Sequence, residues 1–287
     1  MSINRLVVVA ITAVLTMSAV PVLVKSTSAN EVTIGIARLV IAVLAFAPFV
    51  LSRGTLWRLA GRQWRQLAVI GLVFGLHWLT YFASIKLATA AIAALAILTY
   101  SVQYLVLAWI FNGERVTWPE WLAIAACFGG CLMVSPTVSL GNNVTLGVAV
   151  GLFSALLYAA LPLLHQRAAD IGTAERTFGQ FFFALLFFLP FWSFSDWQLR
   201  EADVYQLLVL GLLCTVVSHG LWVKTSTELP AIYSSMIYFL YLPGAVVGSM
   251  VFLGEQMDAR KLAGCAIVLV ASASLSWYRF RLAPAAR

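Results

Sequence analysis

The sequence predicts an all-α, polytopic membrane protein whose ten transmembrane helices form two inverted five-helix repeats. Three observations support this fold class: a very apolar composition, ten long apolar runs, and a repeat at a fixed offset. Of the 287 residues, 62% are hydrophobic and 10% are charged, and the mean hydropathy is +0.94. Soluble domains are roughly 45–50% apolar and about 25% charged, so most apolar side chains must face lipid or other helices.

Ten apolar runs are long enough to cross a bilayer, which takes about 20 helical residues. They span 6–24, 33–51, 67–86, 90–110, 118–136, 145–164, 177–195, 205–224, 231–253 and 261–279. The runs are continuous rather than alternating, which argues against a membrane β-barrel. The first run follows Arg5 as a signal peptide would, but nine similar runs follow it, so we interpret it as the first membrane helix.

The two halves of the chain repeat at one fixed, ungapped offset, which places Pro21 on Pro162. The other matched positions are Tyr81 with Trp222, Tyr100 with Tyr241, and Gly113-Glu114 with Gly254-Glu255. The ten runs divide at the same place, which predicts one repeat over residues 1–139 and a second over 140–287. Because five is odd, the second repeat starts on the opposite side of the membrane. Inverted repeats are a common transporter architecture, with the substrate site near the midplane between the halves.

The distribution of basic side chains predicts the orientation of the chain in the membrane, and it argues against nucleic acid as a partner. The net charge is +7, but the charges lie in short gaps between apolar runs, where they contact anionic lipid. Twelve Lys and Arg residues fall in the segments on the N-terminal side of the membrane and five in the segments on the other side. This excess predicts that both termini are cytoplasmic.

The fourth and ninth runs each end in Gly-Glu and are followed by a run rich in small residues. The fourth reads "ALAILTYSVQYLVLAWIFNGE" and the ninth "SSMIYFLYLPGAVVGSMVFLGE". With the ten runs and the duplication, this pattern resembles the EamA-type members of the drug/metabolite transporter superfamily. The third run, "GLHWLTYFASIKLATA", is similar to that of the YddG-type amino acid exporters.

The resemblance implies a secondary transporter that exports or exchanges metabolites such as amino acids, without ATP hydrolysis. It also implies a central cavity lined by runs 1–4 and 6–9, in a plasma membrane such as a bacterial inner membrane. A multidrug exporter of hydrophobic cations is the alternative within the same superfamily. The oligomeric state stays open, and the sequence is compatible with a monomer.

The third run supplies the best cluster of candidate substrate-binding residues. Polar residues at membrane depth are costly and often functional, and Phe74, His77, Trp78 and Tyr81 share one helical face. These rings offer stacking together with hydrogen bonds, which suits an amino acid or an aromatic solute. A histidine that only bonds a neighbouring helix is the alternative for His77.

Other polar and aromatic side chains lie at similar depth in further runs. We expect them to line the cavity: Tyr100, Gln103 and Tyr104 in run 4, Tyr158 in run 6, His219 and Trp222 in run 8, and Tyr238 and Tyr241 in run 9. His219 lies nearer the cytoplasmic end, where a partly hydrated position is expected.

Arg38 is the one permanent charge well inside an apolar run. It could bind a substrate carboxylate, or its side chain could extend to the lipid headgroups. The sequence favours the second interpretation, because Arg38 lies within two turns of the end of run 2.

Pro21 and Pro162 are matched prolines inside runs 1 and 6, and we expect both to act as hinges, because proline removes a helical hydrogen bond. Glu114 and Glu255 are expected to cap neighbouring helices or to pair with nearby arginines, rather than to bind substrate.

Several functional classes are disfavoured. The three histidines lie on three different runs without acidic residues at depth, so no metal site, catalytic residue or cofactor is expected and the chain is not predicted to be an enzyme. No phosphate-binding loop motif is present in the sequence, which argues against an ATP-driven pump. A channel or scaffold is less favoured, because the polar residues cluster near mid-depth. Proton coupling, if present, would need His77 or His219.

Overall fold

The computed structural model describes residues 3–113, 116–133, 142–229 and 237–282, and all regular structure within these ranges is helical. The α-helices are α1 (Ile3–Met17), α2 (Val20–Ser26), α3 (Glu31–Ser52), α4 (Gly61–Leu87), α5 (Ala90–Leu98), α6 (Tyr100–Asn112), α7 (Trp118–Met133), α8 (Asn143–Arg167), α9 (Thr173–Phe188), α10 (Glu201–Leu208), α11 (Gly220–Glu228), α12 (Tyr241–Leu253) and α13 (Ala259–Leu282). Short 3-10 helices cover Leu56–Arg58 and Leu189–Phe194, and a π-helix covers Val209–His219.

Within the described ranges, seven continuous or nearly continuous helices are long and apolar enough to cross a membrane. They are Arg5–Ser26, Glu31–Ser52, Gly61–Leu87, Ala90–Phe111, Asn143–Arg167, Thr173–Phe194 and Glu201–Ser226. They coincide with runs 1–4 and 6–8 of the sequence. Helices α7, α12 and α13 lie where runs 5, 9 and 10 are expected, and the start of run 9 at 231–236 lies outside the described residues.

The helix of the first run is divided into two segments just before Pro21. Helix α1 ends at Met17 and α2 begins at Val20, with Pro21 within the first two residues of α2. Proline is favoured there because the first N–H groups of a helix have no intrahelical acceptor. The break packs closely against α12, because a Cβ at Gly244 would overlap the Ser18 hydroxyl.

Pro162 behaves differently from its sequence partner. It lies inside the continuous helix α8 and its side chain is exposed. The helical break beside Pro21 therefore has no counterpart at Pro162.

Helix α4 lies at the centre of the bundle between α8 and α9, and glycines let the backbones approach. A Cβ at Gly71 would overlap Phe183 and contact the Ala184 backbone, and one at Gly147 would meet the backbone of Ala88. Such small-residue contacts are the usual basis of helix association in membranes. They fix α4, which carries most of the candidate site, against the second half of the chain.

We predict that Gly71→Ala lowers the melting temperature in detergent, because the added methyl group forces α4 and α9 apart. Overpacking of this kind costs about 1–3 kcal/mol of unfolding free energy. Gly129→Ala is the matched control, since a Cβ at Gly129 meets no atom within 4 Å. Equal melting temperatures for the two variants would contradict this packing.

We predict that Pro21→Ala changes the maximal transport rate more than substrate affinity, because it removes the break between α1 and α2 beside the cavity. Pro162→Ala should change the rate less, because α8 is already continuous. The measurement is kcat and KM for uptake into proteoliposomes. An unchanged rate for Pro21→Ala would refute a hinge at this position.

Candidate functional site

A small cavity of about 30 Å³ lies between the two halves of the chain. Its lining comes from α1–α5, α8, the π-helix and the α12 region: Met17, Val20, Arg38, His77, Trp78, Tyr81, Phe82, Ile97, Tyr158, Cys214, His219, Tyr238 and Tyr241. Sites for small organic ligands usually measure about 300–1,000 Å³. The cavity is therefore too small for a metabolite in this conformation, and one can bind only if the surrounding helices move.

Arg38 is buried beside this cavity, with 2% of its surface exposed. Its Nε donates to the Thr215 hydroxyl at 2.9 Å, and its guanidinium lies 4.1 Å from the centroid of the Trp78 ring and 5.3 Å from that of Phe82. The expectation that Arg38 extends to the headgroups is wrong. Helix α3 packs against the π-helix and turns the side chain inward, where α4 covers it.

The Arg38 guanidinium is only partly satisfied by the protein. Its Nη1 has no hydrogen-bond partner among the described residues, and none of the ion pairs found there includes Arg38. A buried unpaired cation is strongly disfavoured, so the site is suited to an anion that arrives from outside the chain.

The π-helix places the partner of Arg38. The Thr215 hydroxyl donates to the Leu210 carbonyl five residues earlier, at 2.7 Å, and a Cβ at Gly211 would overlap Ile41 of α3. The wider turn and the glycine bring Thr215 and Cys214 against α3. π-Helical turns occur frequently at functional sites, but run 8 gives no sequence signal for one.

Tyr158 is the centre of an aromatic cluster contributed by both halves of the chain. The His77 ring stacks on it at 4.8 Å between centroids, and the Tyr100 ring meets it edge-on at 5.0 Å. Trp222 Nε1 donates to the Tyr158 hydroxyl at 3.0 Å, and the Tyr238 ring is 5.8 Å away. Offset and edge-on arrangements are the favourable geometries for such rings.

Tyr81 and Tyr241 connect the two halves directly. Their hydroxyl oxygens are 2.7 Å apart, and Tyr241 stacks on Tyr238 with centroids 5.3 Å apart and planes 5° apart. Both tyrosines are buried. The hydroxyl pair therefore closes one side of the cavity through a single hydrogen bond, which a substrate could replace.

His77 is anchored by Ser154 of α8. The Ser154 hydroxyl donates its proton to the His77 carbonyl at 2.8 Å. His77 Nδ1 lies 2.8 Å from that hydroxyl oxygen and 3.1 Å from the Ser154 carbonyl oxygen. Because the hydroxyl proton is already used, Nδ1 must be the donor. Nε2 is then the acceptor in the neutral ring. The two interpretations of His77 coexist, since a ring fixed by another helix also lines the cavity.

His219 is buried rather than partly hydrated, contrary to expectation, with 6% of its surface exposed. Its ring contacts Phe74 at 5.1 Å and Phe181 at 5.9 Å between centroids. Gln180 lies between His219 and His165: its amide nitrogen is 3.5 Å from His219 Nε2, and its oxygen is 2.8 Å from His165 Nε2. These contacts orient His219 toward the cavity.

Two candidate residues of run 4 do not reach the cavity. Gln103 donates to the Thr99 hydroxyl at 2.8 Å and to the Leu152 carbonyl at 3.2 Å. Tyr104 is half-buried, with its hydroxyl 3.5 Å from Gln166. The run is interrupted at Thr99, and only Tyr100 joins the aromatic cluster.

Sequence reasoning missed five lining residues: Met17, Val20, Phe82, Ile97 and Cys214. The repeat offset could have found some of them, because it pairs Met17 with Tyr158 and Ile97 with Tyr238. The same offset pairs Trp78 with His219, both of which line the cavity.

The cavity nevertheless carries charge on one side only. The repeat offset pairs Arg38 with Gly179, which packs against the Leu67 side chain. Two similar halves therefore form an asymmetric site, with the cation contributed by the first half and most of the tyrosines by the second.

Partly buried hydrogen bonds link α2 to the end of α4. Lys25 Nζ donates to the carbonyls of Lys86 and Ala88 at 2.9 and 2.7 Å. Lys86 Nζ donates to the Thr27 carbonyl at 2.5 Å, and the Thr27 hydroxyl donates to Asp203 at 2.9 Å.

Glu255 acts at this same end. It accepts hydrogen bonds from the backbone N–H groups of Ala90 and Ala91 at 2.7 and 3.2 Å. It therefore caps the start of α5, one of the two roles expected for it, whereas Glu114 lies outside the described residues.

Contacts at the opposite end are more exposed. Arg62 pairs with Asp170 at 2.7 Å, with 62% and 43% of their side chains exposed. Gln66 donates to the Arg167 carbonyl at 2.7 Å, and Thr55 bonds Glu175. Exposed ion pairs contribute little stability, so the Arg62–Asp170 pair adds little to the packing at this end.

Seven apolar helices of membrane length and a cavity lined by both halves of the chain are the architecture of polytopic membrane transporters. The model of the EamA-like transporter family matches residues 4–135 and 145–277, and the chain belongs to this family. The two matches begin at residues 4 and 145, which is the same offset that places Pro21 on Pro162. The chain thus contains two copies of the family's repeat.

Curated relatives share the transporter class. A protein of Pseudomonas aeruginosa named "Probable biotin transporter" is 26% identical over 243 residues, covering 82% of this chain and 84% of that protein. A Sinorhizobium protein named "Uncharacterized transporter in cobO 3'region" is 31% identical over 102 residues, covering 34% of this chain and 72% of that protein.

A solved crystal structure has the same fold. It superposes with a TM-score of 0.68 at 16% identity, covering 98% of this chain and 99% of that chain. At this identity the likeness shows the fold alone.

We predict that Tyr81→Phe and Tyr241→Phe each lower the free energy of unfolding by about 1 kcal/mol, because each removes one partner of a buried hydrogen bond. The double variant should cost no more than either single variant, since both remove the same bond. Thermal unfolding in detergent measures this. Additive losses would show that the hydroxyls do not bond each other.

Proposed function

We propose that the chain is a secondary transporter that exports a small organic carboxylate by alternating access without ATP, and that its cargo is an amino acid with an aromatic or other hydrophobic side chain. The observation that carries this proposal is the Arg38 guanidinium, which is buried beside the small cavity with its Nη1 unpartnered among the described residues. Every other part of the proposal depends on that charge.

The charge of Arg38 selects the sign of the cargo. A carboxylate accepts two parallel hydrogen bonds from a guanidinium, so it would satisfy Nη1 and neutralise the buried charge together. A hydrophobic cation would instead face a fixed positive charge at short range. The geometry therefore favours the amino acid proposal over the multidrug alternative.

The aromatic cluster suits the apolar part of such a cargo. A ring entering between Trp78 and the tyrosines could stack on them, and the Tyr81 and Tyr241 hydroxyls could bond polar groups that are now satisfied by each other. We assign substrate contact to the sequence-predicted residues that line the cavity, which are Arg38, His77, Trp78, Tyr81, Tyr158, His219, Tyr238 and Tyr241. Tyr100 and Trp222, which contact Tyr158 but do not line the cavity, have a supporting role behind them, as do Gln103 and Tyr104.

A second candidate cargo comes from the relative named "Probable biotin transporter". Biotin also bears a carboxylate, on an aliphatic chain attached to a fused ring system, so Arg38 and the aromatic cluster would suit it as well. The two candidates share the charge and differ in the size and shape of the apolar part.

We propose an architecture of ten membrane-spanning helices in two inverted repeats, which would allow alternating access. Helices α7, α12 and α13 would be the three remaining spans of a ten-helix protein, and repeats over 1–139 and 140–287 would be inverted. Lining positions that recur at the repeat offset support this arrangement. The protein would lie in a bacterial inner membrane with both termini in the cytoplasm, and no enzymatic activity is assigned to it.

Transport without proton coupling is the simplest mode. Among the described residues, no Asp or Glu lines the cavity, so only His77 and His219 could carry a proton there. We propose facilitated diffusion or exchange down the solute gradient.

We predict that Arg38→Gln raises KM for the transported carboxylate about 10- to 100-fold, because a charge-assisted hydrogen bond contributes about 1.5–3 kcal/mol. The measurement is uptake of labelled aromatic amino acids, biotin and hydrophobic cations into proteoliposomes, with and without a pH gradient. Arg38→Lys should show an intermediate loss, since it keeps the charge without the planar fork.

Arg53→Gln is the matched control for this prediction. Arg53 also lies over an aromatic ring, 3.9 Å from Phe49, but it does not line the cavity. Cation uptake that persists in Arg38→Gln would favour the multidrug alternative, and accumulation driven by a pH gradient alone would refute uncoupled transport.

A further inference from the structure

A second concave surface lies far from the cavity, between α7 and α13. It is a groove of about 650 Å³, and Leu122, Ala123, Ala126, Ala271 and Leu275 form most of its floor. The other faces of these two helices pack together: Cys127 Sγ lies 3.4 Å from the Ser272 hydroxyl. The groove is therefore on the outer side of a helix pair. In the ten-helix architecture proposed above, this side of α7 and α13 faces lipid, and the assignment of the groove rests on that architecture.

One end of this groove is cationic and aromatic. The exposed Arg281 guanidinium lies 3.7 Å from the centroid of the Trp277 ring, and both side chains line the groove. The aromatic ring holds the guanidinium at the groove, as cation–π contacts do. None of the lining residues is acidic, so this positive charge is not neutralised within the groove.

Tryptophan marks the depth of this end in the bilayer. Trp118, the first residue of α7, has 72% of its surface exposed, and Trp277 has 48% exposed. Exposed tryptophans concentrate at the boundary between lipid tails and headgroups. Arg281 therefore lies at headgroup level, and the alanines of the groove lie deeper, at the level of the acyl chains.

We propose that this groove is a binding site for one phospholipid with an anionic headgroup. An acyl chain would lie over Ala123, Ala126 and Ala271, and the headgroup phosphate would accept hydrogen bonds from Arg281. Basic sites between transmembrane helices bind anionic lipid headgroups in this way, and Arg suits phosphate because its fork of N–H donors matches the phosphate oxygens.

A second copy of the chain fits this groove less well. In a two-fold dimer centred here, each copy presents the same surface to the other, so the two Arg281 side chains would approach each other. That like-charge contact opposes the pairing, whereas the phosphate of a lipid complements the charge.

Native mass spectrometry of the full chain in a lipid-free detergent tests the proposal. Phosphatidylglycerol and phosphatidylcholine with identical acyl chains would be titrated in parallel, with glycerol phosphate as the headgroup without chains. We expect one phosphatidylglycerol adduct to survive at activation energies that remove phosphatidylcholine, and no adduct with glycerol phosphate.

Two variants and one control assign the adduct to the groove. Arg281→Gln should weaken the phosphatidylglycerol adduct at least 5-fold, and Ala126→Trp should weaken both lipid adducts by filling the groove. Arg260→Gln, an exposed arginine near the opposite end of α13, should leave the adducts unchanged.

Three outcomes would overturn the proposal. They are equal retention of the two lipids by the unmodified protein, an adduct unaffected by Arg281→Gln in a variant whose melting temperature is unchanged, and a dimer peak that both groove variants abolish. The last outcome would assign the groove to a second copy of the chain.

Discussion

The arrangement of this bundle depends on one buried charge. Removing a guanidinium from water costs several kcal/mol even after the protein relaxes, and Arg38 has neither a carboxylate partner nor a route to the headgroups among the described residues. The buried guanidinium is stabilised by its cation–π contact with the Trp78 ring and by its hydrogen bond to the Thr215 hydroxyl. The π-helix is needed to place Thr215, and the glycine contacts of α4 are needed to place Trp78. The environment of Arg38 therefore depends on the packing of α3, α4 and the π-helix.

The same charge explains why two similar halves form one directional site. The repeat offset places equivalent positions around the cavity, but the equivalent of Arg38 is Gly179, which packs against Leu67. A carboxylate would therefore bind toward α3, and the rest of the solute would extend among the tyrosines. The contacts of Lys25 and Lys86 are partly buried, whereas the Arg62–Asp170 pair is exposed.

Hydrophobic length and the repeat were enough to predict an all-helical membrane protein, most helix positions and most of the cavity residues. Aromatic and polar side chains near mid-depth mark a site because such residues are costly against lipid. The local breaks could not be predicted, because the interruption at Thr99, which separates α5 from α6, and the π-helix both depend on tertiary contacts. The burial of Arg38 could not be predicted for the same reason. Its distance from the helix end suggests that the side chain is exposed, and only the packing of the helices shows that α4 covers it.

Recognition of a carboxylate by Arg38 is tested most directly by comparing the transport of each acid with that of its carboxamide. The two differ by little in shape, but only the acid carries a negative charge at neutral pH. In counterflow with proteoliposomes of the unmodified protein, we expect the acid to exchange with the labelled cargo and the amide to exchange at least about 10-fold more weakly, the factor that corresponds to about 1.4 kcal/mol. Equal exchange of acid and amide would contradict the account, because a site built around an unpaired guanidinium must distinguish them.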